Sequence, residues 1–188
     1  MNNQMESKHP IKINFHPRRD SYITEYSSSK NFGGAANLFG NRFKGPGDKY
    51  RSLIQFDFTS LGHNYLPPGS DIVLAVVQLY LFRNEISRLT TLNAYMIKQN
   101  WHEFTVNWNN QPLCATTPSG RVQIEPGYLG TVRLEITDLV RGWYDGSFVN
   151  FGLMIKGSED FDGILGFYSR EYADSTLWPK LTVEYHLP

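Results

Sequence analysis

The sequence predicts an all-β protein: an antiparallel, jelly-roll-like β-sandwich of about ten strands with one short helix. The first observation is residues 50–58, where apolar and polar side chains alternate so that Ile54, Phe56 and Phe58 share one face. A two-residue period is typical of a strand with one buried face. The second observation is that Gly- and Pro-rich turns separate several such segments. The third is an aromatic content of 14%, since aromatic residues favour strands.

The other strands follow in chain order. We predict them at residues 11–15, 21–24, 37–44, 71–82, 90–98, 131–136, 149–155, 164–168 and 181–185. Residues 71–82 are almost continuously apolar, which predicts a strand covered on both sides, with a bulge near Val77. Residues 100–118 are rich in aromatic and amide side chains but irregular, so no strand is predicted there.

A single short helix is predicted near residues 138–143. Leu139 and Trp143 have helical spacing in this stretch, and Thr137 or Asp138 is a suitable N-cap residue. No second stretch of the chain combines helical spacing with a capping residue in this way, so the rest of the sequence is assigned to strands, turns and loops.

Length and charge restrict the domain organisation and the partners. The 188 residues fit one domain, with residues 11–188 forming the sandwich and residues 1–10 a polar arm. Equal numbers of acidic and basic residues, 18 of each, provide no long-range attraction to nucleic acid. No apolar run reaches the roughly 18 residues of a membrane-spanning helix. Residues 1–10 also lack the apolar core of a signal peptide.

A series of short motifs runs through almost the whole chain, from residue 11 to residue 185. It comprises DSYI (20–23), RSLIQFD (51–57), VNWNNQP (106–112), ITDLV (136–140), NFGL (150–153) and FYSRE (167–171). In this order the motifs resemble the DNRLRE domain family, which is close to disaggregatase-related proteins and to alginate-binding carbohydrate-binding modules. The resemblance implies a jelly-roll-like sandwich without catalytic activity, of a kind often found in secreted, wall-associated or polysaccharide-processing proteins.

The first candidate binding site combines Trp101, Trp108, Asn109 and Asn110. Indole rings stack on the apolar faces of sugars, and carboxamides supply paired donors and acceptors for neighbouring hydroxyl groups. In the alternative interpretation, both indoles fill the core and the two asparagines bond the backbone of a long irregular connection.

The second candidate site is formed by two arginines, Arg51 and Arg170. Together with Asp57 and Glu171 they are predicted to form a polar cluster across one sheet face, in which an arginine binds the carboxylate of an acidic sugar. In the alternative interpretation, these residues form ion pairs that fix the register of the strands.

Neither a metal site nor a catalytic site is predicted. The five histidines lack the spacing of metal ligands, and no nucleophile or phosphate-binding motif is present. Glu159, Asp160 and Asp162 form an acidic loop that offers oxygen ligands for calcium, but without the spacing of a known calcium loop. Cys114 is the only cysteine, which excludes an internal disulfide.

Two functions remain, and both are non-catalytic. The first is a structural subunit of a surface or spore-associated layer or fibre, located at the cell or spore surface without a recognisable signal peptide. It would self-assemble through its sandwich and its arm, with Met1, Asn2, Asn3, Gln4 and Met5 contacting a neighbouring copy by strand addition. The alternative is a carbohydrate-binding module for an acidic or cell-wall polysaccharide.

Overall fold

The computed structural model describes residues 9–58 and 65–188. The predicted contact residues of the arm, from Met1 to Met5, lie outside this part of the chain. The described strands are β1 (Ile11–Phe15), β2 (Pro17–Thr24), β3 (Asn37–Arg42), β4 (Lys49–Phe56), β5 (Asp71–Asn84), β6 (Thr90–Met96), β7 (Gly120–Ile124), β8 (Gly130–Glu135), β9 (Leu153–Lys156), β10 (Leu165–Tyr168) and β11 (Lys180–His186). The predicted all-β antiparallel sandwich is confirmed, with eleven strands in the described residues.

The strands form two antiparallel sheets that are joined through β3. In sheet A, β5 pairs with β8 along one edge and with β11 and β10 along the other, and β1 pairs with β11. In sheet B, β4 pairs with β2 along one edge and with β9 along the other, and the sheet continues through β6 to β7. Strand β3 pairs with β10 in sheet A and with β4 in sheet B.

The inner faces of both sheets form one hydrophobic core. Ile54, Phe56 and Phe58 lie in it, as the alternation of residues 50–58 predicts, and they pack with Leu79 and Leu81 of β5. Apolar burial of this kind is the main favourable term in folding. No helix of the described residues is long and apolar enough to cross a membrane.

The structure corrects several details of the predicted strands. The register of β5 shifts at Val73 and at Phe82, so the predicted bulge near Val77 is wrong. Val77 is fully buried in the core, whereas Val73 and Tyr80 of the same strand are exposed, so β5 is not covered on both sides along its length. Strand β7 was not predicted, because its alternation of Arg121, Val122, Gln123 and Ile124 covers only four residues.

The predicted helix is confirmed as α1 (Thr137–Tyr144), but its predicted cap is wrong. The N-cap position is Ile136, and no side chain caps the helix. Thr137 is engaged elsewhere: its hydroxyl accepts a hydrogen bond from the Ala75 N–H and donates one to Glu135. The Thr137 side chain therefore ties the helix to β5 instead of closing the first turn.

A second hydrophobic cluster lies on the outer face of sheet B. Ile23, Leu53 and Met154 point outward from three strands of this sheet, and residues 97–114, which we call the covering segment, pack over them with Trp101 and Val106. The covering segment crosses only part of the sheet. The outer face of sheet B is therefore divided into a covered half and an open half.

Candidate functional site

The open half of sheet B carries a polar groove with a volume of about 500 Å³. Its walls are formed by β6, by the end of β9 and by the loop that follows β9. The lining residues with polar or aromatic side chains are Thr90, Thr91, Asn93, Tyr95, Lys156, Ser158, Glu159, Asp160 and Phe161. Hydroxyl, carboxamide, ammonium, carboxylate and aromatic groups thus line one groove.

Strand geometry places a row of three polar side chains across this open half. Asn93 of β6 is paired with Lys156 of β9 on one side and with Arg121 of β7 on the other. The neighbours Ala94 and Ile155 point into the core, and successive side chains in a strand point to opposite faces. Arg121, Asn93 and Lys156 therefore project outward side by side, and Arg121 extends the row beyond the groove.

Neither cation of the row forms a direct ion pair with a carboxylate of the described residues. Among the described residues, neither Lys156 nor Arg121 has a carboxylate oxygen within 4.0 Å. The Lys156 ammonium lies 5.0 Å from the centroid of the Tyr95 ring and 3.3 Å from the Cys114 sulfur. At the far end of the groove, the Arg88 guanidinium lies 4.3 Å from the Phe161 ring. Both rings hold a cation at the wall by cation–π attraction.

Arg51 lies at the border between the open and the covered half. Its guanidinium stacks on Trp108 at 4.4 Å, forms a two-pronged ion pair with Glu159 at 2.6 and 2.8 Å, and donates to the Gln111 carboxamide. Burial raises the pKa of Glu159, but the hydrogen bonds and charge of Arg51, followed by the charges of Lys156 and Lys49, outweigh it and hold the pKa below its ordinary value. Glu159 is therefore ionised at neutral pH, and its charge is directed at Arg51.

The residues of the predicted tryptophan–asparagine site lie in the covering segment. Trp101 is only 3% exposed, its indole N–H donates to the Phe151 carbonyl, and the Arg19 guanidinium covers its ring at 4.4 Å. The ring has no free face for a sugar. The Asn110 carboxamide closes a turn by bonding the backbone of Asn107 and Thr105.

Trp108 and Asn109 complete that predicted site. Trp108 is half-buried under Arg51, and Asn109 is exposed with its backbone N–H bonded to the Ser28 carbonyl. The structure therefore does not bring the two indoles and the two asparagines together on one open surface.

The predicted polar cluster around the two arginines is also not formed. Arg170 pairs with Glu103 at 2.6 Å and with Glu171 at 3.0 Å, whereas Arg51 pairs with Glu159. Asp57 lies 3.4 Å from Arg18. Arg51 and Asp57 are six positions apart on one extended segment, which separates them by about 20 Å. Arg170 and its neighbour Glu171 do pair, but the other partners, Glu103, Glu159 and Arg18, come from distant segments that the local sequence did not reveal.

The acidic loop after β9 is held by arginines. Asp162 accepts hydrogen bonds from Arg42 and from the Gly45 N–H, and Glu159 is bound by Arg51. These carboxylates point to different partners, so the loop does not present a set of converging oxygen ligands.

Two other surfaces display aromatic rings. On the outer face of sheet A, Tyr168 stacks on Tyr172 at 3.8 Å and on Phe82 at 4.7 Å, so its ring faces are covered by neighbouring rings. A cavity of about 490 Å³ beside the turn at residues 45–48 is lined by Tyr26, Phe43, Lys44, Pro46, Gly47, Asp48 and Tyr50. Among the residues named for these two surfaces, neither surface has a row like that on sheet B, with a carboxamide between two cations that form no ion pair.

The groove residues were not among the predicted site residues, although a signal for them exists. In β6, Thr91, Asn93 and Tyr95 alternate with the buried Leu92 and Ala94. This alternation predicts a strand with an open polar face. The match to distant Lys156 and Arg121 depends on strand pairing and could not be predicted from the local pattern.

An antiparallel sandwich with an open polar groove on one sheet is an arrangement suited to a sugar-binding module. Residues 11–185 match carbohydrate-binding module family 96, and the chain belongs to this family. The match does not show the DNRLRE family itself. No curated protein matches the chain significantly. Of the two functions predicted from the sequence, carbohydrate binding is supported by the family, and the self-assembling subunit is not.

Proposed function

We propose that this chain is a non-catalytic module that binds an acidic polysaccharide along the open half of sheet B. The observation that carries the proposal is the row of Arg121, Asn93 and Lys156. It places one cation without an ion-pair partner on each side of a carboxamide. A module of this kind works where polysaccharides are found, outside the cell or at its surface.

The spacing of the row suits a charged chain molecule. Adjacent strands lie about 4.8 Å apart, so Arg121 and Lys156 attach to the sheet about 10 Å apart, with Asn93 between them. Two carboxylates of one extended polysaccharide can contact the two cations, while Asn93 and the Thr91 hydroxyl bond the sugar hydroxyls between them. Because these side chains stand on a paired sheet, little ordering is required on binding.

Arg51 has a supporting part in this proposal. Its ion pair with Glu159 neutralises a carboxylate that lines the groove and would otherwise repel an acidic ligand. Stacking on Trp108 fixes the guanidinium from the other side. The remaining acidic side chain of the groove, Asp160, is exposed to solvent, where its charge is screened.

The test is a binding measurement with three single variants that remove the same charge. Lys156→Gln and Arg121→Gln are expected to weaken binding of alginate roughly tenfold each, because each removes one charge-assisted contact. Lys12→Gln, on the opposite sheet in a surface pair with Glu184, is the matched control and should bind like the native protein. Affinity electrophoresis at low and high salt measures all three, and added salt should weaken native binding.

Two results would contradict the proposal. One is equal retention of all three variants on alginate. The other is native binding of a neutral β-glucan that matches alginate binding and does not change with salt, because contacts to carboxylates cannot explain it.

A further inference from the structure

Three carboxylates converge at the edge of sheet B, away from the groove. Asp20 lies in β2 and Glu103 in the covering segment. Glu171 is the third residue after the end of β10. One oxygen of each lies within 4.8 Å of an oxygen of the other two. These residues join the covering segment, β2 and the end of β10, and none of them lines the groove.

Two oxygens of this cluster lack any partner although they are shielded from solvent. Asp20 is 1% exposed, and its Oδ2 accepts a hydrogen bond from the Arg170 N–H. Asp20 Oδ1 and Glu171 Oε2 are both buried and accept no hydrogen bond. A buried carboxylate oxygen without a partner is costly, and native proteins satisfy nearly all such atoms. Either a proton shared by the two oxygens or a group other than the described side chains is therefore needed at this point.

The charges around the cluster favour a positive group. Glu103 Oε1 accepts hydrogen bonds from the Asp20 N–H and from Arg170, whereas Glu103 Oε2 accepts only one, from Arg170. Arg170 also contacts Glu171. The second arginine nearby, Arg19, directs its nitrogens to the Trp101 carbonyl and to Asn100. Three carboxylates therefore share the direct contacts of one guanidinium, that of Arg170, while Arg19 acts on Glu103 only through its charge.

Further charges do not alter this balance. Arg18 is at the surface beside Asp57, and its backbone carbonyl accepts from Arg170. Burial, followed by the charge of Glu171, raises the pKa of Asp20 to about 8, which reflects the cost of two adjacent charged carboxylates. The two unpartnered oxygens thus hold either a cation or a single proton between them.

We propose that Asp20 Oδ1, Glu171 Oε2 and an oxygen of Glu103 bind a divalent cation of the calcium type. The donor set consists of carboxylate oxygens alone, which hard cations prefer, and three ligands from three separate segments suit the flexible geometry of Ca²⁺ better than the strict octahedron of Mg²⁺. The ion ties the covering segment to β2 and to the end of β10. Its role is to stabilise the covered half of sheet B, and it does not depend on polysaccharide binding.

Thermal unfolding of the full chain after removal of metal tests the site. Addition of Ca²⁺ at a hundredfold excess over its Kd should raise the Tm by about 5–10 °C. Tb³⁺ should bind in its place and luminesce when the nearby Trp101 is excited, and Ca²⁺ should quench that signal by competition.

Two variants locate the ion. Glu171→Gln should abolish both the Ca²⁺ shift and the Tb³⁺ signal, yet it should fold, because its amide can donate to Asp20 Oδ1. Asp162→Asn removes a carboxylate that is bound by Arg42, outside the cluster, and should keep the native response.

Either of two results would overturn the proposal. If neither Ca²⁺ nor Tb³⁺ binds, and chelation leaves the Tm unaltered at pH 6 and at pH 8.5, the two oxygens share a proton instead. If Glu171→Gln retains the full Ca²⁺ shift, the ion binds elsewhere. Polysaccharide binding by the groove is measured separately and can succeed or fail independently of both results.

Discussion

The two halves of the outer face of sheet B meet on β9 and have opposite surroundings. In β9, Met154 points outward into the covered half, and Lys156, two residues later, points outward into the open groove. In β6, Asn93 and Tyr95 line the groove, and Ile97, just beyond the strand, begins the covering segment and packs in the covered cluster. The border between the two halves therefore runs across β9. Positions with an outward apolar side chain belong to the covered half, and positions with an outward polar side chain belong to the open half.

The type of side chain that points outward determines which part of the sheet face is covered by protein. Outward apolar side chains such as Leu53 require a cover, since each large apolar side chain gains about 1.5–3 kcal/mol on burial. Outward polar and charged side chains require water or a ligand. The tryptophans of the covering segment therefore bury the outward apolar side chains of the sheet, while the polar side chains of β6 and β9 remain available for binding.

The largest expected effect is on the stability of the covered half. Trp101→Ala should lower the free energy of unfolding by roughly 3–5 kcal/mol, because it removes a buried indole and its hydrogen bond to Phe151. Phe104→Ala, in the same segment but 67% exposed, is the control and should change it by less than about 0.5 kcal/mol. Urea denaturation measures both. Similar small losses for the two variants would show that Trp101 is not the anchor of the cover.

A smaller effect is expected at the border, from the pair of Arg51 and Glu159. The folded pKa of Glu159 lies below its ordinary value of 4.5, so the pair's contribution is complete above that pH and is lost as the pH falls through the folded pKa. Glu159→Gln should therefore be less stable than the native protein by about 1–3 kcal/mol at pH 7. Denaturation curves at pH 7 and at pH 2–3 check this. A difference that stays constant down to pH 2 contradicts an ionised pair.

The smallest effect is expected at the turn of the covering segment. Asn110→Ala removes two hydrogen bonds to the backbone of an exposed turn, which should cost about 1 kcal/mol of stability. Alginate binding by this variant should equal that of the native protein. A clear loss of binding with unaltered stability would restore the asparagines of this segment as sugar-binding residues.

Features that depend on the local period of the sequence were predicted, whereas contacts that depend on strand pairing were not. Alternation identified the buried face of β4, and the spacing of Leu139 and Trp143 identified the helix, because neighbouring residues determine both. The partner of Arg51 is Glu159, 108 positions away. Arg121 and Lys156 are brought into one row because each is paired with Asn93 of β6. Such contacts depend on the strand order, which the local pattern does not encode.

The sequence left two interpretations of the aromatic residues open for a related reason. An indole in an irregular, amide-rich segment has the same composition whether it stacks on a sugar or fills a core. Only the outward apolar residues of the neighbouring strands, such as Leu53 and Met154, reveal that Trp101 has a surface to cover. The burial of Trp101 thus depends on tertiary context that its own segment does not show.

The most direct test of the central claim is an NMR titration of isotopically labelled protein with a short acidic oligosaccharide. Binding to the open half predicts that the largest amide shifts occur at Thr91, Asn93 and Lys156, with little change around Trp101 in the covering segment. Shifts concentrated at Tyr168 on sheet A, or at Tyr26 beside the other cavity, would contradict the account.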